Sequence, residues 1–123
     1  RIAGNAVTVP VSAYNPGPVQ ASVWGTYHDV VSAHIYMDQP GFVQIIATGY
    51  IGYGQGWCHG GSRLRVDGSV VANYEVNENY TTVCHGYSFW ANAGGHTVTL
   101  QFSGVQGKNR FTQGNVVLLG VKR

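Results

Sequence analysis

The sequence predicts an all-β fold, an antiparallel jelly-roll sandwich, and three observations carry that reading. From Gly94 to Phe102 the chain reads Gly-Gly-His-Thr-Val-Thr-Leu-Gln-Phe, so Val98, Leu100 and Phe102 face one way while Thr97, Thr99 and Gln101 face the other. A period of two belongs to half-buried extended chain. Comparable segments recur between turn residues, and no stretch of ten or more residues keeps a helical stripe. A length of 123 residues corresponds to one domain, here residues 1–123, large enough to bury a core without metals or dense cross-linking.

Strands are expected at Ala6 to Ser12, Val19 to Trp24, Val30 to Met37, Gly41 to Ile51, Ser62 to Val66, Ser69 to Val76, Thr81 to Trp90, His96 to Ser103 and Arg110 to Val121. Nine segments fit an eight-stranded jelly roll with one additional piece. The breaks between them have local causes. Asp67-Gly68 tolerates the positive φ of a two-residue hairpin turn. In Asn15-Pro16-Gly17-Pro18 and Gln39-Pro40-Gly41, each Pro removes a ladder donor and each Gly permits a reversal.

The segment from Phe42 to Ile51 is apolar on both faces. One face presents Val43, Ile45, Ala47 and Ile51; the other presents Phe42, Ile46 and Tyr50, with only Gln44 and Thr48 between them. A sandwich core uses one face of a strand, so the second must meet something else: another subunit, with Phe42, Ile46 and Tyr50 as interface residues, or a long covering loop. The closing segment Val116-Val117-Leu118-Leu119-Gly120-Val121 poses the same question.

Composition narrows the partner classes. Hydrophobic residues make up 44% and aromatics 12%, while charged residues reach only 10%, against roughly 25% in an average soluble domain. A surface built from Asn, Gln, Ser, Thr, Gly and Tyr suits an extracellular, virion or cell-surface protein, or flanks buried against identical copies. Net charge is +2 and the basic residues are scattered, which argues against nucleic acid as a partner. No apolar run approaches the length of a membrane helix, so no membrane insertion is expected, and the first residues do not read as a signal peptide.

The ordered features Ala6-Val7-Thr8-Val9-Pro10, Gln39-Pro40-Gly41-Phe42-Val43, Ala47-Thr48-Gly49-Tyr50, Leu64-Arg65-Val66-Asp67-Gly68, Ala93 through Gln101 and Val117-Leu118-Leu119-Gly120 run over nearly the whole chain. Their order resembles the tumour-necrosis-factor-like and complement-globular-head-like jelly rolls of phage tail-fibre tips and bacterial collagen-like surface proteins. The resemblance implies a homotrimer around a threefold axis and attachment to a surface receptor, often a glycan. It implies no catalytic residues and no cofactor.

Cys58 and Cys84 are the only thiols, each within a Cys-His-Gly triplet. A small even number in a low-charge β domain points to a Cys58–Cys84 disulfide, with two free thiols as the alternative. A zinc site from Cys58, His59, Cys84 and His85 has suitable donors, but adjacent residues on a strand point apart, so metal is not the expectation. His34, Tyr36 and Asp38 alternate and would share a polar or subunit-contact face.

Catalytic constellations lack an anchor in the sequence. Gly86-Tyr87-Ser88-Phe89-Trp90 misses the second Gly of a nucleophile elbow. Glu75 and Glu78 fall on opposite faces of an extended segment, which does not suit paired-carboxylate glycoside hydrolysis. Sugar binding is easier to build, because pyranose rings stack on aromatics while their hydroxyls need paired donors and acceptors. Six of the thirteen residues from Gly49 to Gly61 are Gly, and this loop gathers Tyr53, Gln55, Trp57 and His59, which His85 and Tyr87 would join across the disulfide. Those six are the candidate ligand-binding residues; packing of Trp57 over the disulfide is the alternative. The expected function is a non-enzymatic receptor-binding or adhesion module with carbohydrate as ligand, or else a purely structural trimerisation or capping domain.

Overall fold

The computed structural model describes residues 7–22, 25–53, 60–76, 80–104 and 109–122. Among them the chain forms nine strands: β1 (Val7–Asn15), β2 (Val19–Gln20), β3 (His28–Met37), β4 (Gly41–Tyr53), β5 (Gly60–Val66), β6 (Ser69–Val76), β7 (Thr81–Ala91), β8 (Gly94–Ser103) and β9 (Asn109–Lys122). They make two antiparallel sheets, one ordered β1-β9-β4-β7 with β2 also on β9, the other ordered β3-β8-β5-β6. Only β5 and β6 are both consecutive in sequence and adjacent in a sheet. Every other pairing joins distant parts of the chain, the jelly-roll arrangement.

The additional ninth piece has a simple origin. β1 pairs with β9 from Gly114 to Lys122, and β2 continues along the same partner at Arg110 and Phe111. They are one edge strand interrupted by Asn15-Pro16-Gly17-Pro18. At the interruption Gly17 N–H donates to Asn15 Oδ1 over 2.9 Å, and Asn15 Nδ2 donates to the Val30 carbonyl over 2.7 Å. β9 bulges opposite the break: Gln113 takes a positive φ of 56° and its N–H donates to the Pro16 carbonyl. Of the strand expected from Val19 to Trp24, the structure has Val19 and Gln20 in the ladder and the Ala21 N–H donating to the Asn109 carbonyl over 3.1 Å, while Val23 and Trp24 lie outside the described residues.

The inner faces supply the core. Val43, Ile45, Ala47 and Ile51 of β4 and Val116 and Leu118 of β9 meet Ile35 and Met37 of β3 and Val98 and Leu100 of β8, all buried. Phe111 from the five-stranded sheet and Phe102 from the four-stranded sheet close one end, ring centroids 5.5 Å apart at a 46° tilt. Phe111 lies on the backbone of Gly49, where a Cβ would overlap the ring. The Asp67-Gly68 hairpin forms as expected, with φ of 49° and 87° joining Val66 to Ser69 in direct register.

Two substitutions test this packing. Phe111→Ala is expected to lower unfolding free energy by about 3–5 kcal/mol through the cavity it leaves, and Gly49→Ala by about 1–3 kcal/mol through overpacking against the ring. In urea titrations the double variant should lose less than the sum, because removing the ring makes room for the new methyl. Strict additivity would show that the Gly49–Phe111 contact does not limit the fold.

Candidate functional site

Filling the interior with one side of each strand leaves two outer faces, and they differ chemically. On the five-stranded sheet, register aligns four rows: Thr8–Val121–Phe42–Trp90, Pro10–Leu119–Gln44–Ser88, Ser12–Val117–Ile46–Gly86 and Tyr14–Asn115–Thr48–Cys84. None of these sixteen positions is charged. Phe42 is 55% exposed, Trp90 51%, Ile46 48%, Val117 41% and Leu119 38%. The Phe42 and Trp90 rings meet edge-to-face at 5.0 Å. Pro10, Gln44, Ile46, Val117 and Leu119 line a shallow depression of about 190 Å³. The covering loop considered for this strand does not shield Phe42 or Ile46, which are open to solvent. Tyr50, two residues past Thr48, is half-buried and stacks on Tyr80 at 6.1 Å.

Strand alternation separates the cysteine and histidine of the second Cys-His-Gly triplet. Cys84 sits on the outer face as a free, exposed thiol, and Cys58, its expected disulfide partner, lies outside the described residues. His85 points inward and is buried, its Nε2 3.0 Å from Ser62 Oγ, and burial pushes its pKa below the ordinary histidine value. A neutral, enclosed imidazole is a core contact, which corrects its expected place among the sugar contacts. Cys84 and His85 also cannot share one metal ion.

Tyr87 follows on the inner side of β7, half-exposed at the sheet edge and stacked on Phe89 at 6.5 Å. Of the six candidate ligand residues it alone is placed at the surface among those described. Gln55, Trp57 and His59, together with Cys58 and the side chain of Tyr53, lie outside the described residues.

The outer face of the four-stranded sheet is polar, and sequence reasoning passed over its centre. A bulge between Asp29 and Val31 turns Val30 into the core and puts Asp29 on the same side as Ser32. Asp29 then pairs with Gln101, Ser32 with Thr99 and His34 with Thr97, while Arg63 and Arg65 of β5 stand opposite Gln101 and Thr99. Gln101 Nε2 donates to Asp29 Oδ1 over 2.7 Å and its Oε1 accepts from Arg63 Nε over 2.8 Å. The Arg63 guanidinium lies 3.9 Å above the Tyr27 ring.

Ser32 and Thr99 hydroxyls are 2.9 Å apart, as are His34 Nδ1 and Thr97 Oγ1. Asp29, Arg65, Gly68, Thr97, Thr99 and Gln101 line a depression of about 300 Å³. His34 and Tyr36 share this face as expected, but the strand ends at Met37, before Asp38. The outward alternation of Thr97, Thr99 and Gln101 was readable from sequence; the arrival of Asp29 beside them was not, because the bulge breaks the count.

A third cluster clips the hairpin to the neighbouring turn. His96 Nδ1 lies 2.6 Å from Asp67 Oδ2 and Nε2 lies 2.7 Å from the Asn92 carbonyl. A carboxylate and a carbonyl both accept, so both ring nitrogens donate and the ring is an imidazolium. Burial alone would lower the His96 pKa, but the Asn92 carbonyl and the bond and charge of Asp67 together raise it. Burial would raise that of Asp67, yet the Thr97 N–H and His96 hold it below the ordinary carboxylate value. Phe89 meets the His96 ring edge-on at 5.8 Å.

No protein-family model matches the sequence, and no curated protein matches it. Solved structures do share the fold. The D431N mutant VP2 protein of infectious bursal disease virus superposes with a TM-score of 0.56 at 10% identity, over 94% of this chain and 32% of that one. A structure of the infectious bursal disease virus Gx strain gives 0.54 at 11% identity, over 94% and 32%. Dimeric latent PorU from Porphyromonas gingivalis gives 0.56 at 7% identity, over 95% and 13%. The chain thus spans about a third of the two infectious bursal disease virus chains and a smaller part of PorU. What the likeness shows is the jelly-roll sandwich, the class of domain to which the strand order assigns this chain.

The clip predicts a pH signature. A raised His96 pKa contributes stability that is complete below the unfolded value of about 6.5 and disappears as pH climbs through the folded value. A lowered Asp67 pKa contributes stability present above its unfolded value of about 3.9 and lost as pH falls through the folded value. The contribution is greatest between about pH 4 and 6.5, and with a partly exposed pair it amounts to about 1 kcal/mol or less. Buried His85 has the opposite dependence, so the informative quantity is the difference in urea midpoint between wild type and His96→Gln. That difference should be largest near pH 5.5 and shrink by pH 8.5; a pH-independent difference would refute the imidazolium.

Proposed function

We propose that this domain is a non-enzymatic binding module of a virion or cell surface, acting as a homotrimer and engaging surface glycans. One observation carries the proposal: four full rows across β1, β9, β4 and β7 contain no charge and expose Phe42, Trp90, Ile46, Val117 and Leu119 together. Interface centres are depleted of charge and enriched in aromatics, and exposed apolar patches on monomers are normally small. Covering such a face removes apolar surface from water at about 25 cal/mol per Å², and a second copy of the same chain supplies a matching uncharged surface. The tumour-necrosis-factor-like resemblance supplies the threefold arrangement.

Three copies give a shallow site its useful strength. Weak individual contacts to one glycan-coated surface gain roughly 10²–10⁴ in avidity when geometry allows simultaneous engagement. The same apolar face also supports a second reading, a structural trimerisation or capping domain without ligand.

Analytical ultracentrifugation at micromolar concentration should find the wild type trimeric and the Phe42→Asp/Ile46→Asp variant monomeric with an unchanged far-UV spectrum. A wild type that sediments as a monomer would overturn the assembly. On a glycan array the trimer should bind and the monomeric variant should lose about two orders of magnitude of apparent affinity. A trimer that ignores every glycan supports the capping reading instead.

A further inference from the structure

We infer that the depression on the outer face of the four-stranded sheet is a saccharide site, taking the vicinal hydroxyls of a neutral hexopyranose, with Tyr36 as the platform for the adjoining ring. This rests on the glycan-binding reading and moves its centre away from the Gly-rich loop.

The first ground is the pattern of donors and acceptors. Among the described residues the Asp29 carboxylate has one bond, from Gln101, out of about four acceptor positions. Arg65 spends Nε and Nη2 on the Gly68 carbonyl and keeps Nη1 as a donor. The Thr97 and Thr99 hydroxyls each have one partner and capacity for another. A vicinal diol needs an acceptor and a donor side by side, and this depression offers both.

The second ground is order. Asp29, Gln101 and Arg63 form a continuous hydrogen-bonded chain whose end is packed on Tyr27. The polar groups are thus held before a ligand arrives, which reduces the entropy lost on binding.

The volume and the neighbouring aromatic fix the ligand class. About 300 Å³ is at the small end of ligand pockets and suits one sugar unit. Tyr36 is 70% exposed on the same face, one outward position beyond His34, or about 7 Å along β3. Its cross-strand partner Gly95 has open space where a side chain would stand, leaving the flank of the tyrosine ring clear for a second pyranose. The depression sets one carboxylate, Asp29, against one guanidinium, Arg65, a balance that suits a neutral sugar better than an anion. Arg65 disfavours a bare cation.

Wild type, Asp29→Asn and Tyr36→Ala are compared on one array of neutral and acidic glycans, with amide spectra confirming the fold. Asn retains an acceptor for Gln101, so Asp29→Asn keeps the local chain while losing the charged acceptor. It should weaken binding to neutral hexose glycans at least about tenfold. Tyr36→Ala should weaken di- and oligosaccharides more than terminal single units. Undiminished binding by Asp29→Asn would overturn the site while leaving glycan recognition intact. Binding restricted to acidic glycans would overturn the ligand class, and a wild type that binds no glycan would overturn this inference and the glycan reading together.

Discussion

The structure depends on the alternation of side chains along β4 and β9. Val43, Ile45, Ala47, Val116 and Leu118 are buried between the layers, and in extended chain that burial forces Phe42, Gln44, Ile46, Val117 and Leu119 outward. A slip of one residue would exchange the two sets. The Phe102–Phe111 pair and the glycine beneath it hold the register at one end of the sandwich, and the bulge at Gln113 lets β9 serve both halves of the broken edge strand.

From this constraint follow two outer faces with opposite chemistry. The five-stranded sheet turns an uncharged, partly aromatic surface to solvent, where the hydrophobic effect favours contact with another apolar surface. The four-stranded sheet turns out Asp29, Arg63, His34 and threonine hydroxyls, joined across strands, and Arg65, bonded to the Gly68 carbonyl of the hairpin. Such a surface is satisfied by water. Under the proposed function the two faces divide the work without a moving part, one for assembly and the other for recognition, with the core between them common to both.

The same alternation dissolves groupings that look persuasive as text. Cys84 and His85 are neighbours in sequence, yet one is an exposed thiol on the uncharged outer face and the other a buried imidazole on Ser62. His96, unremarkable in sequence, is instead held between an acid and a carbonyl that arrive from two separate turns.

All nine strands, the Asp67-Gly68 hairpin and the double-sided apolar character of β4 were written in local pattern. Periodicity and turn chemistry act over a few residues, so a single chain of letters is enough to display them. The polar depression was not legible, because it gathers residues from β3, β5, β8 and a turn, and depends on a bulge at Val30 that reverses the side to which Asp29 points. The positions of strands show in sequence, but which strands lie side by side is decided by packing two sheets around one interior, and only that packing says which residues share a surface.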